Sequence, residues 1–138
     1  MAGVTLDAGA LIAADRRERW FAVWWQTATE RGIVPTIPAP VLAQVWRGGA
    51  RAAGLGRLVA CCRVVPMDDS LAKRVGVLCG VAGTSDIADA AVVVVASEQH
   101  DEILTSDPAD ITRLMAHVHG VRRVTAISGL EAALGRGR

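Results

Sequence analysis

Three aspartates stand where an apolar run stops or a helix starts. Asp7 follows Gly3-Val4-Thr5-Leu6, Asp107 follows Ile103-Leu104-Thr105-Ser106, and Asp89 opens the run Ala90-Ala91-Val92-Val93-Val94-Val95-Ala96. Short apolar runs of this kind read as strands buried on both faces of a parallel sheet, and in such sheets the ligand crevice lies beyond the strands' carboxyl ends. Carboxylates that converge there repel one another: two at about 4 Å do so by roughly 4 kcal/mol at an effective dielectric near 20. A shared proton or a divalent cation relieves that repulsion, and an all-carboxylate site suits Mg²⁺ or Mn²⁺.

Each acid also has a structural reading. Asp7 can cap a helix after the first strand, and Asp107, preceding Pro108, can be a turn or N-cap residue. Asp89 resists such a reading, because an acid at the edge of a near-continuous apolar run is partly desolvated and is rarely kept without a partner. Two readings of Asp86 stay open. Three residues before Asp89, it either shares a helix face with it and adds charge to the site, or serves as an N-cap or first-turn acid. Asp110, one turn after Asp107, reads as a first-turn helix acid.

Periodicity and punctuation supply the elements that must carry these residues. Strands are predicted over 3–6, 33–37, 63–66, 102–105 and 121–127. Helices are predicted over 8–14, 17–30, 41–47, 50–62, 87–99 and 108–117, with one more capped by Asp68 or Asp69 and ending near 80–83. The four valines of 92–95 favour a strand, yet the segment from Thr84-Ser85-Asp86 to His100 exceeds strand length and reads as a helix apolar on nearly all sides, hence buried. Helices alternating with strands give an α/β doubly wound fold with a mostly parallel, five-stranded sheet and helices on both faces.

The 138 residues suit one domain over 1–130, followed by a short basic tail over 131–138. A composition 51% hydrophobic and 21% charged is that of a globular protein, and the longest apolar stretch, 88–97 with Asp89 inside it, is too short to span a bilayer. With Asp7 interrupting the early apolar run there is no leader pattern, so the expectation is a cytoplasmic protein without a membrane partner. A net charge of +1 makes no case for nucleic acid by itself, although Lys73 is the only lysine and arginine favours bidentate phosphate contacts. Cys61, Cys62 and Cys79 lack zinc-site or disulfide spacing and read as reduced core thiols. His117 and His119, two apart, point to opposite sides of a helix and read as surface residues. No G-x-G-x-x-G follows the first strand and no G-K-[ST] occurs, which argues against nucleotide-cofactor enzymes. A phosphoacceptor receiver is disfavoured because Ala8, not a second acid, follows Asp7, and Lys73 is far from the last strand.

The segments VTLDAGALIA, PAPVLAQVW, TSDIADAAVVVVA and ILTSDPADI, in that order, span nearly the whole chain and resemble the PIN domain family, most closely the VapC-type toxins of toxin–antitoxin pairs and their stand-alone relatives. The resemblance implies a sheet ordered 3-2-1-4-5 and a metal-dependent endoribonuclease whose cation is held by three or four acids. Carried over, Asp7, Asp89 and Asp107 are the metal acids, with Asp7 and Asp107 facing each other across the switch point. Thr105 and Ser106 correspond to the hydroxyl near the metal. One position departs from the pattern: the family usually has Glu in the helix after the second strand, where this chain has Gln44. Gln offers a carbonyl oxygen but removes a negative charge and cannot act as a base. The charge of Asp86 would restore the total.

These readings lead to a catalytic set of Asp7, Asp89, Asp107, Asp86, Gln44 and Thr105, with the first four as Mg²⁺ or Mn²⁺ ligands. The expected substrate is RNA and the expected partner a cognate antitoxin. The alternative is a catalytically weak or inactive PIN-like module that binds RNA or a protein. Arg47 and Arg51 would form a basic edge toward bound phosphates or remain solvated. Trp20, Phe21, Trp24 and Trp25 cover more than one helix face, which points to a homodimer or an antitoxin contact, or else to helix core.

Overall fold

The computed structural model describes residues 3–135. Five strands, β1 (Val4–Leu6), β2 (Thr36–Pro38), β3 (Arg63–Val65), β4 (Glu102–Thr105) and β5 (Arg123–Ala126), form one all-parallel sheet ordered β3-β2-β1-β4-β5. The connecting helices are α1 (Ala8–Asp15), α2 (Arg19–Glu30), α3 (Ala39–Val45), α4 (Ala53–Ala60), α5 (Asp69–Ala82), α6 (Ile87–Gln99), α7 (Pro108–Met115) and α8 (Ile127–Leu134). The order reverses between β1 and β4, so the switch point lies where Asp7 and Ser106-Asp107 leave those strands.

The valine-rich segment is helical, as its length requires. α6 is the central element: Ala88 and every residue from Ala90 to Ala96 are buried, against α5 on one side and β1, β2 and β4 on another. Both ends are set locally. Asp86 accepts a hydrogen bond from the Asp89 N–H at 3.0 Å, and His100 closes the helix in a left-handed conformation (φ 57°). Asp68 caps α5 in the same manner, by accepting from the Leu71 N–H at 2.8 Å, and Gly83 ends it at φ 71°.

Four expectations need correction. The second strand is shifted to Thr36–Pro38, because Ile33 still closes the end of α2 through its N–H to the Ala28 carbonyl at 2.9 Å. The helix expected over 50–62 begins as a 3₁₀ turn at Ala50–Ala52 and becomes α-helical only from Ala53. Residues 131–134, expected in the basic tail, belong to α8, whose Ile127, Leu130 and Leu134 share one face and pack on the core; residues 136–138 of that tail lie outside the described residues. Cys61 is exposed rather than a core thiol, while Cys62 is half-buried and Cys79 buried.

The tryptophans divide. Trp20 is fully buried, its indole N–H donating to Glu18 Oε1 at 3.1 Å and its ring meeting Phe21 edge-on at 5.6 Å. It is core, as is Phe21, whereas Trp24 and Trp25 are half-buried at the margin. His117 and His119 are exposed. Among the described residues no single helix is long and apolar enough to cross a membrane.

Candidate functional site

The register Leu6↔Leu104 carries β1 and β4 off the sheet side by side, so that Asp7 emerges beside Thr105 and Ser106. Asp7 is 4% exposed and caps α1, with Oδ1 accepting from the Ala10 N–H at 3.2 Å and Oδ2 from the Ser106 N–H at 2.9 Å. One carboxylate thus ties the end of β4 to the start of α1. Gly9 makes room for this arrangement: a β-carbon there would lie 2.6 Å from Ser106 Cβ and 3.2 Å from Asp7 Oδ1. Burial pushes the Asp7 pKa above the ordinary aspartate value, against the pull of hydrogen bonds from the Thr105 side chain and the Ser106, Ala10 and Gly9 backbone.

Thr105 is wholly buried and joins two of the acids. It hydrogen-bonds the Asp7 carboxylate, and its Oγ1 accepts from the Asp107 N–H at 2.9 Å. Asp107 is exposed and N-caps α7, but its carboxylate takes no cap hydrogen bond and remains free to face the crevice. Pro108 at the first helical position, which has no N–H to satisfy, starts the helix there.

Asp89 sits on the first turn of α6 between buried Ala88 and Ala90. Its pKa is raised to about 7, first by loss of solvation, then by the charge and hydrogen bonding of Asp86, then by the charges of Asp107 and Asp7. A carboxyl whose pKa is raised this far by burial and by three other carboxylates lies in a negative field, the condition under which a cation is bound or a proton retained.

Carboxylate oxygens of Asp89, Asp107 and Asp110 lie within 4.8 Å of one another, the one such acidic or His/Cys group among the described residues. Asp110 was not expected there. It is a first-turn acid of α7, as its spacing implies, and one helical turn also brings it to the same side as Asp107. It pairs with Arg113, the one basic residue, among those described, lining the cleft of about 240 Å³ that Asp86, Asp89 and Asp110 share with Thr84 and Leu114. The 107/110/113 spacing is the sequence signal for both Asp110 and Arg113. Asp7 and Asp86 stand outside the group of three and reach it through their charge on Asp89.

Gln44 is exposed on α3 and lines a broad groove with Ser85, Asp86 and Ile87, on the Asp86 side of the acids. Arg47 folds back onto its own helix. Its guanidinium closes the carboxyl end of α3, donating to the carbonyls of Trp46 at 2.8 Å, Gln44 at 3.0 Å and Ala43 at 3.4 Å.

Three carboxylates with hydroxyl and backbone neighbours form an oxygen-only donor set, which fits Mg²⁺ or Mn²⁺ and not a soft metal. No protein-family model and no curated protein matches the sequence. In three dimensions the chain is similar to a chain in the structure of FitAB bound to an IR36 DNA fragment, with a TM-score of 0.61 and 14% identity, over 89% of this chain and 94% of that one. That likeness, together with the five-stranded parallel sheet in the order 3-2-1-4-5, makes the fold PIN-like.

Proposed function

We propose that the protein is a Mg²⁺- or Mn²⁺-dependent endoribonuclease, the toxin of a toxin–antitoxin pair. The observation that carries the reading is the convergence of Asp89, Asp107 and Asp110 at the switch point, beside the buried Asp7. A bound divalent cation would supply an activated water and charge stabilisation at the scissile phosphate. Asp89, Asp107 and Asp110 would hold it, with Asp7 and Asp86 adding negative field. Asp7 also orders the site, since both its oxygens are already engaged by backbone N–H groups; lone pairs remain on each for a metal or its water. Thr105 acts through others, holding Asp7 with its hydroxyl and Asp107 through the backbone. Arg113 keeps Asp110 paired in the metal-free protein and is placed to meet a substrate phosphate once Asp110 turns to the cation.

Cleavage of single-stranded RNA in Mg²⁺ or Mn²⁺, its loss in chelator and its loss in Asp89→Asn test the reading. The second reading, a PIN-like module that binds RNA or protein without cutting, is favoured by Gln44, which stands where the family carries an acid. A wild type inert in every metal, yet still retaining RNA or a partner, would replace the first reading with the second. An antitoxin and a homodimer belong to the toxin reading, with Val23, Trp24 and Trp25 on α2 as the contact face; Trp24→Ala would then shift the assembly size in solution, and Trp20→Ala would instead unfold the core.

A further inference from the structure

Away from the acids, a cleft of about 440 Å³ opens between the carboxyl end of α1 and the start of α4, lined by Arg17, Arg51 and Arg57 with Asp15 as its single acid among the described residues. All three arginines are exposed, and among the described residues none makes an ion pair or a side-chain hydrogen bond, in contrast to Arg74, Arg113, Arg122 and Arg123, each paired with a carboxylate. The rest of the lining is small, Ala14, Ala50, Ala53 and Gly54, apart from Leu55, which is buried, so little side-chain bulk stands beside the guanidinium groups. Arg47 stands in an adjoining hollow that shares Asp15 and Arg51. Guanidinium groups clustered with so little opposing charge, among mostly small neighbours, suit planar bidentate contact with phosphate oxygens.

The position of the cleft is also informative. α1 begins at its cap Asp7 in the acidic crevice and ends at Asp15 in the basic cleft, about 12 Å along the helix at 1.5 Å per residue. At 3.4 Å or more of rise per nucleotide, that span is about three to four nucleotides at most. The geometry points to Arg17, Arg51 and Arg57 as a phosphate-backbone site that holds a single strand of RNA a few nucleotides from the acids. The assignment rests on the nuclease reading for its substrate, but not on catalysis. Backbone contacts of this kind add affinity and position the strand without reading its bases.

The test is binding of a short labelled single-stranded RNA by the full chain in chelator, where cleavage plays no part, at several salt concentrations. Arg51→Ala with Arg57→Ala, and Arg17→Ala separately, should each weaken binding about tenfold or more and lower the salt dependence by about 0.7 in log–log slope for every phosphate no longer neutralised. Arg51→Lys with Arg57→Lys should keep the slope and recover part of the affinity, and Arg31→Ala, on another surface, should change neither. Unchanged affinity and slope in the alanine variants would overturn the assignment. So would a wild type that does not bind the strand, or that prefers duplex RNA or an acidic peptide to it. Loss of binding in the variants with a wild type that never cleaves would leave the cleft standing and overturn the nuclease reading; cleavage by wild type and variants alike, at equal KM, would do the reverse.

Discussion

The two ends of the sheet treat acids in opposite ways. At the amino end, Asp101 is 3% exposed and accepts a hydrogen bond from the buried Thr5 hydroxyl at 2.8 Å, while Glu102 meets Arg122 at 3.4 Å, Arg123 at 3.3 Å and the Thr125 hydroxyl. At the carboxyl end, Asp7, Asp86, Asp89, Asp107 and Asp110 gather with Arg113 as the one cation lining their cleft among the described residues. The first arrangement satisfies each charge where it stands and joins β1, β4 and β5. The second brings carboxylates within 4.8 Å of one another, a repulsion that a retained proton on Asp89, the Arg113–Asp110 pair or a bound cation relieves. Such a contrast within one sheet separates acids that are satisfied singly from acids that share one field, and the shared field is the candidate for ligand binding.

The largest effects should come from breaking the carboxyl end. Asp89→Asn should lower metal-dependent RNA cleavage by roughly a hundredfold or more, since a bound cation contributes several kcal/mol of transition-state stabilisation. The same change should remove the rise in melting temperature that Mn²⁺ gives the wild type, a rise equivalent to about 2.7 kcal/mol at a hundredfold excess over Kd. A wild-type melting curve unmoved by millimolar metal would erase the contrast between the two ends.

The amino end should fail differently. Asp101→Ala leaves the buried Thr5 hydroxyl without its acceptor and should cost about 1–3 kcal/mol in denaturant unfolding, with the metal-induced shift intact. Asp101→Asn retains an acceptor and should cost less. Gly3→Ala should also destabilise, because its β-carbon would lie 2.5 Å from Asp101 Oδ1.

Without metal, pH sharpens the comparison. Folded Asp89 keeps its proton up to about pH 7, whereas the unfolded chain releases it near 3.8, so between those values the folded state binds more protons. The stability this group contributes is complete below about pH 4 and is lost as pH rises to 7. Asp89→Asn should therefore stabilise the metal-free protein at pH 8 by roughly 1–2 kcal/mol once solvent screening of the half-buried carboxyl is allowed for. Metal-induced stabilisation of the wild type should weaken below about pH 7, where protons compete for the same oxygens. A metal-free Asp89→Asn melting curve that parallels the wild type from about pH 5 to 8 would show that burial and the neighbouring acids do not raise the Asp89 pKa.

The smallest effects distinguish Asp86 from its neighbour. Asn caps a helix as well as Asp, so Asp86→Asn should keep α6 folded while removing one charge from the field at Asp89. Metal affinity should fall by a few-fold, clearly less than in Asp89→Asn, and Gln44→Glu should hold or raise it. An Asp86→Asn protein with wild-type metal dependence would reduce Asp86 to a cap.

Much of this architecture is legible in one dimension. Local chemistry sets the caps at Asp68 and Asp86, the proline start of α7, the glycine end of α5 and the length of α6, and each lies where its residues put it because caps and breakers act over a single turn. The buried run beside Asp89 likewise announces a desolvated acid, and the apolar strands announce a parallel sheet. What one dimension could not decide was which polar groups meet. Asp7 and Ser106 are 99 positions apart, and their hydrogen bond exists only because β1 and β4 lie side by side. The burial of Trp20 and the helical fate of residues 131–134 were settled by packing, and the meeting of Asp107 and Asp110 with Asp89 by the contact of α7 with α6. Sequence determines propensity and charge at each position; the distances between charges, and with them repulsion, pKa and metal affinity, come from long-range strand pairing.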